Sequence, residues 1–325
     1  MKIIEEAKKL ALKDIPLSKE KIIELLEIPL GSDEDKLLRQ VAYDVAMKKS
    51  NGKAYIWSAV GADYAPCIMN CKFCSFGKNW GIVKNPVHYS TNEIVEKVRI
   101  FVEEGARFIV LRTTEFYSVS KLLEIVKVIR KEIKGDYEII FNVGELDMTI
   151  SNLMVETGVN GVYHACRIRE GVDTPFDPWD RINTMGNIHR SGLKLISLVE
   201  PIGIEHSNEE IANNFLQILK FGAEISGAMA RIPVLGTPFG KIEQISDSRL
   251  AQIIAVLRLS GGNIVKDICV HPATSEALKS GANIVVVETG AIPRDKDLEL
   301  DSWHGTDMKK AKKMLKEAGY TVCNK

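Results

Sequence analysis

Long apolar runs are missing from this 325-residue chain. None approaches the roughly 20 residues needed to cross a bilayer, and its opening MKIIEEAKKLALK is a charged amphipathic helix rather than a secretion signal. The reading is therefore a cytoplasmic protein with no membrane partner. An excess of one charge is missing too. The 43 Lys and Arg match 43 Asp and Glu for a net charge of +0, which leaves no basic footprint for a nucleic acid. With 26% charged and 45% hydrophobic residues, the composition excludes bulk disorder. Cysteine is scarce as well, at six, and in a reducing compartment thiols more often bind metal or do chemistry than form disulfides. Half of them fall between Cys67 and Cys74.

From about residue 90 one phrase recurs: an amphipathic helical stretch, a glycine, then a short apolar run. FVEEGARFIVL, IHRSGLKLISL and LKSGANIVVVE are three instances. The glycines Gly105, Gly135, Gly158, Gly192, Gly222, Gly261, Gly281 and Gly319 each stand where a helix needs a left-handed C-terminal residue. The runs that follow are apolar on both faces, as buried parallel strands must be. The interval is close to the ~30 residues of a βα unit. Strands are expected at about 54–60, 107–112, 138–142, 161–166, 193–198, 228–232, 264–269 and 283–288. Eight such strands, with no G-x-G-x-x-G or Walker-type loop to favour an open sheet, point to an α/β fold of the (β/α)8 TIM-barrel type. Helices are expected at 2–13, 18–28 and 33–49, the last capped by Ser32 or Asp33. Residues 1–50 would form a helical extension packed across the amino-terminal end of the barrel, and 51–325 the barrel with a C-terminal helix.

The first strand leads into Ala65-Pro66-Cys67-Ile68-Met69-Asn70-Cys71-Lys72-Phe73-Cys74-Ser75-Phe76-Gly77. Spacings of four and three let one loop wrap three thiolates around a single object. Two chemistries fit. One is zinc completed by a downstream His88, although no second C-x-x-C supplies the usual closed set. The other is an iron–sulfur cube with one iron left open.

C-x-x-x-C-x-x-C after the first strand of a βα barrel, with Phe73 just before the last cysteine, resembles the radical S-adenosylmethionine superfamily. The phrases Ile109-Val110-Leu111-Arg112-Thr113-Thr114-Glu115-Phe116-Tyr117, Arg231-Ile232-Pro233-Val234-Leu235-Gly236-Thr237-Pro238 and Ser280-Gly281-Ala282-Asn283-Ile284 resemble its biotin-synthase-like branch. That branch also includes the hydrogenase maturase HydE and methylornithine synthase, with lipoyl-synthase-like enzymes beside it. The resemblance implies that Cys67, Cys71 and Cys74 hold a [4Fe-4S] cluster whose fourth iron is chelated by S-adenosylmethionine. Phe73 would pack by the adenine and Glu115 would face the amino group. Arg169 and Glu170, in Arg167-Ile168-Arg169-Glu170, would serve the ribose or methionine portion, Arg181 the carboxylate, and the Val234 backbone the adenine edge. It further implies reductive cleavage of the cofactor and hydrogen abstraction by a 5′-deoxyadenosyl radical in a biosynthetic step. The substrate would be a small molecule, free or bound to a carrier protein, and the electron donor a ferredoxin or flavodoxin.

Biotin synthase adds a second cluster. Its three cysteine positions match Ile109, Ile140 and Ile196 here, and its arginine matches Lys266. Aliphatic side chains cannot ligate iron, so sulfur insertion by that route is disfavoured. Cys166 and Cys269, with His164 and His271 nearby, remain as candidates for a different auxiliary iron–sulfur cluster or for contact with a substrate radical. The alternatives are thus a sulfur-inserting synthase and a non-enzymatic iron–sulfur or zinc protein.

Overall fold

The computed structural model describes residues 2–289 and 306–324. Eight parallel strands close on one another: β1 (Lys53–Gly61), β2 (Phe108–Arg112), β3 (Glu138–Asn142), β4 (Gly161–Tyr163), β5 (Lys194–Ile196), β6 (Ile225–Ala230), β7 (Asp267–His271) and β8 (Ile284–Thr289). Each pairs with the next, and β8 returns to β1 with Tyr55 opposite Ile284. After a two-residue break, Val199–Ile202 carries β5 further along β6. This is the expected TIM-type barrel.

Alternation along the strands divides the core in two. Trp57, Ala59, Val110, Ile140, Tyr163, Ile196, Leu198, Ile225, Cys269 and Ile284 fill the barrel interior. The opposite parity, including Ile56, Ile109, Phe141, Val162 and Ile268, packs outward against α4 (Thr91–Glu103), α5 (Val119–Glu132), α6 (Met148–Thr157), α7 (Pro178–Ser191), α8 (Asn208–Lys220) and α9 (Asp247–Ser260).

The leader forms α1 (Lys2–Leu12), α2 (Lys19–Leu26) and α3 (Asp33–Ser50), and Ser32 is the residue that caps α3, accepting from Asp35 N. The three lie along α8 and α9 on the barrel's flank rather than across its amino-terminal end. The reason is visible in α9, which is apolar nearly all round and buried at every position from Leu250 to Ser260. A helix with no polar face needs cover on both sides, and the leader supplies the outer one. At the other end of the chain, α10 (Ser275–Leu278) precedes β8 and α11 (Met308–Glu317) follows it. Thr321–Val322 then pairs beside the start of β1. No described helix is long and apolar enough to cross a membrane.

Two expectations shift. α9 ends not on a left-handed Gly261, whose φ is −74°, but through Gly262 at +57°. The extra turn it makes delays β7 to Asp267. β6 starts at Ile225, earlier than expected, because Gly222 already ends α8 at φ +70°.

Candidate active site

Chemistry on a barrel belongs at the carboxyl ends of the strands, and the cysteine loop stands there. It springs from a two-residue ribbon, Asp63–Tyr64 against Val87–His88. Cys67 N donates to Phe76 O at 2.7 Å and Lys78 N to Cys67 O at 2.9 Å, so the loop closes on itself. Asn70 turns its tip at φ +48°, a conformation asparagine tolerates, and its Oδ1 accepts from Asn79 N at 2.8 Å. Across the mouth, Lys72 N donates to Asp173 O and Phe239 N to Lys72 O. The loop is thereby pinned to the loops after β4 and β6.

Cys67, Cys71, Phe73 and Cys74 line a cavity of about 240 Å³ that descends into the barrel to Trp57, Ala59, Val110 and Leu198. Burial pushes all three thiols up, Cys71 to about 12, so they stay protonated until a cation replaces the proton. Among the described residues no three His, Cys, Asp or Glu side chains converge as a single metal ion requires. His88 is exposed on the short ribbon and does not line the cavity. Zinc completed by His88 is therefore not what this geometry supports. The donor set, three cysteine sulfurs around one cavity with no fourth cysteine lining it among the described residues, fits a cube larger than an ion and open at one corner.

Arg181, from α7, is almost wholly buried, with 2% of its surface exposed, and reaches the cavity. Its Nη1 lies 3.0 Å from Glu145 and its Nη2 3.5 Å from Glu115. The guanidinium sits 3.8 Å from the Phe176 ring centroid, while Nε has no hydrogen-bond partner. Glu115 faces the same space. It is held close because residue 144 is glycine: a Cβ there would stand 2.9 Å from Glu115 Oε1. Val234 also lines the cavity, but its carbonyl is already occupied by Thr237 N and Oγ1.

Several polar residues of the wall had no role at this cavity in the sequence reading. Arg112, at the end of β2, lies 3.2 Å from Glu288. Tyr163 donates to Glu200, and Arg167 Nε stands 3.6 Å from Glu200. Burial raises the Glu200 carboxyl. His164, buried beside Arg181 and Arg167, has its imidazole pushed well below the usual range and is neutral. The signal that would have found most of them is their place in the last turn of a strand. There inward parity points into the mouth.

Other expected site residues do not line the cavity, although Glu170 stands behind it, 3.9 Å from Arg181 Nε. The Glu170 carboxylate closes its own loop, accepting from Arg167 N at 2.8 Å and Thr174 Oγ1 at 2.5 Å. Arg169 points away, pairing with Glu210 at 2.6 Å. That contact, with the Ser207–Glu210 capping box on α8, holds Glu210 down to about 2. A lowered carboxylate stabilises the fold above its unfolded value of ~4.3, and the contribution is lost as pH falls toward the folded value. Glu210→Gln should therefore cost about 1 kcal/mol near neutrality, and melts followed by circular dichroism should converge with wild type as pH approaches 2.

Cys166 and Cys269 are also corrected. Cys166 packs outward among the helices, while Cys269 is sealed in the barrel interior. Neither lines the cavity, and the barrel wall separates them, so they do not share a cluster. Single alanine variants should keep the iron content of wild type by colorimetric assay, each losing about 1 kcal/mol of stability. The match to the second-cluster positions moves by one residue on β2, where Val110 faces inward and Ile109 outward. Lys266 precedes β7 and pairs with Glu224 outside the barrel. Val110, Ile140 and Ile196 remain aliphatic, so among the described residues the interior offers no such ligand set.

No family model matches the chain. It is 23% identical over 347 aligned positions to a biotin synthase of Brachyspira hyodysenteriae, covering 98% of this chain and 95% of that one. In fold it is similar to methylornithine synthase PylB, with a TM-score of 0.81 at 16% identity over 98% and 97% of the two chains. It is also similar to HydG, a maturase of the [FeFe]-hydrogenase, with a TM-score of 0.81 at 15% identity over 99% and 75%. The first two likenesses run almost end to end in both partners, and the second shows the fold the two chains share.

Proposed function

We propose that this protein is an enzyme that cleaves S-adenosylmethionine reductively and uses the resulting radical to take a hydrogen atom from a small substrate enclosed by the barrel. The observation that carries the reading is the placement of three cysteines, the only ones among the described residues to line it, over a cavity whose wall is charged near the mouth and apolar below. Cys67, Cys71 and Cys74 would hold a [4Fe-4S] cluster. Such a cluster, when bound, supplies one electron to the sulfonium and so releases a 5′-deoxyadenosyl radical.

The chain's own residues then have binding and exclusion to perform. Arg181 offers a fixed guanidinium to the carboxylate of the methionine moiety, with Glu115 beside it for the ammonium. Phe73 offers a face to the adenine, and Val234 supports that edge through its side chain. Below them Trp57, Val110 and Leu198 keep the reacting space dry, which protects a radical from side reactions. The electron donor in this reading is a ferredoxin or flavodoxin. The substrate is small enough for the enclosed cavity, whether free or presented on a carrier. A sulfur-inserting synthase is the weaker alternative, because among the described residues the barrel interior holds one cysteine, Cys269, and not a set of ligands for a second cluster.

The test is anaerobic reconstitution with iron and sulfide, addition of dithionite and S-adenosylmethionine, and chromatography for 5′-deoxyadenosine. Product is expected. An intact cluster without product would instead support a non-enzymatic iron–sulfur protein.

A further inference from the structure

The charged residues at the ends of β2 and β8 take no part in the proposed handling of S-adenosylmethionine. Inward parity on β2 runs from Val110 to Arg112, and Glu115 lies beyond the strand end. Arg112 therefore stands below the cofactor's groups and one layer above the apolar floor. Its Nη1 lies 3.2 Å from Glu288 on β8, and Glu288 in turn stands 3.6 Å from His271 Nε2 on β7. All three line the cavity. The ion pair spans β1, where Ala59 is in register with Glu288 and Gly61 with Arg112. Neither has a side chain past Cβ, so the guanidinium reaches across the strand. Arg231, elsewhere on the wall, gives both Nη groups to Glu205. Arg112 gives one to Glu288, and among the described residues its Nη2 has no acceptor, a costly state for a buried guanidinium.

We propose that Arg112 and Glu288 form the substrate subsite, and that the substrate is a small acid with a hydrogen-bond donor on the carbon next to its carboxylate, an α-amino or α-hydroxy acid. The inference rests on the proposed function, which puts a small substrate inside the barrel. Arg112 Nη2 matches a carboxylate oxygen, the acceptor that a guanidinium binds best. Glu288 beside it, acceptor-only when ionised, calls for a donor close to that carboxylate. The amino acid is the better balanced of the two, because a zwitterion adds no net charge to a buried ion pair. The hydrocarbon remainder then lies on Trp57, Val110 and Leu198, the apolar floor of the same cavity.

The full-length reconstituted protein, with S-adenosylmethionine and no reductant, is to be dialysed against a mixture of the standard L-amino acids and, separately, of L-2-hydroxy acids, with retained compounds read by mass spectrometry. At least one acid should be concentrated by wild type, and Arg112→Met should cut its retention about ten-fold or more. That variant strands Glu288 in the wall, so Arg112→Met/Glu288→Met, which removes both charges together, is compared as well. The double variant should melt near wild type and lose the same retention. Glu288→Gln should weaken an amino acid about ten-fold and a hydroxy acid about two-fold, since the amide oxygen still accepts from a hydroxyl. No acid retained by wild type, equal retention by wild type and the folded double variant, or an amino acid held as well by Glu288→Gln would overturn the proposal. Dialysis involves no turnover, so the two readings fail separately. A retained acid without 5′-deoxyadenosine on later reduction counts against the cleavage, and 5′-deoxyadenosine without a retained acid counts against the subsite.

Discussion

Alanine at Cys67, Cys71 or Cys74 should abolish 5′-deoxyadenosine formation and strip the chain of iron, from about four irons per polypeptide to background after reconstitution. The expectation is all-or-none because two thiolates cannot retain a cube that three hold. Among the other cysteines, Cys166 and Cys269 lie outside the cavity and cannot substitute. The loss should not come from unfolding. Cys67 and Cys74 are only partly buried on a loop whose shape is fixed by backbone bonds such as Cys67 N to Phe76 O, which alanine preserves. Far-ultraviolet circular dichroism and melting temperature should therefore match wild type while the iron assay falls to background. Iron retained in any of the three variants would contradict the ligand assignment.

Arg181→Met should be the most damaging change among the charged residues of the wall, costing 3–5 kcal/mol, roughly what removing one partner from a buried ion pair costs. An exposed pair would cost at most about 1 kcal/mol. What decides between them is position. Arg181 is nearly solvent-free, and Glu145 and Glu115 lean on it. Burial already raises the Glu145 carboxyl, with Arg181 the main influence opposing it. Without the guanidinium the Glu145 carboxyl favours protonation more strongly in the fold than in the unfolded chain. A raised carboxyl destabilises as pH rises through the unfolded value, so the variant's deficit should be largest at neutral pH and shrink toward pH ~5. Affinity for S-adenosylmethionine should fall as well, by ~30-fold or more, the loss expected when one member of a buried charge pair is truncated. Arg181→Lys keeps the charge without the planar fork. It should recover most of the stability and little of the affinity in equilibrium dialysis, which separates the structural role from the binding one.

The barrel was legible because its punctuation is local. Gly158 and Gly192 end α6 and α7 in the left-handed region, and each is followed by a strand too apolar to face water. The cysteine loop was legible because ligand spacing is a property of a short segment. What escaped is set by distance along the chain. The outward turn of Arg169 depends on Glu210, and the enclosure of Glu170 depends on Thr174 and a loop fold that no periodicity encodes. A one-residue ambiguity in parity exchanged Ile109 for Val110. Side-chain direction alternates with every residue in a strand, so register must be known to the residue before a facing can be assigned. The leader's seat on α9 was hidden for a similar reason: nothing in residues 1–50 names its partner, although the absence of a polar face on α9 hinted that it needed one.

The account stands on an iron corner that the protein leaves open for S-adenosylmethionine. Electron paramagnetic resonance of the dithionite-reduced, reconstituted protein, recorded before and after that molecule is added, reads the corner directly. The account predicts a cluster signal whose shape changes on addition and is absent from the Cys67→Ala, Cys71→Ala and Cys74→Ala variants. A signal unmoved by the addition, or one that survives loss of any of these cysteines, would contradict it.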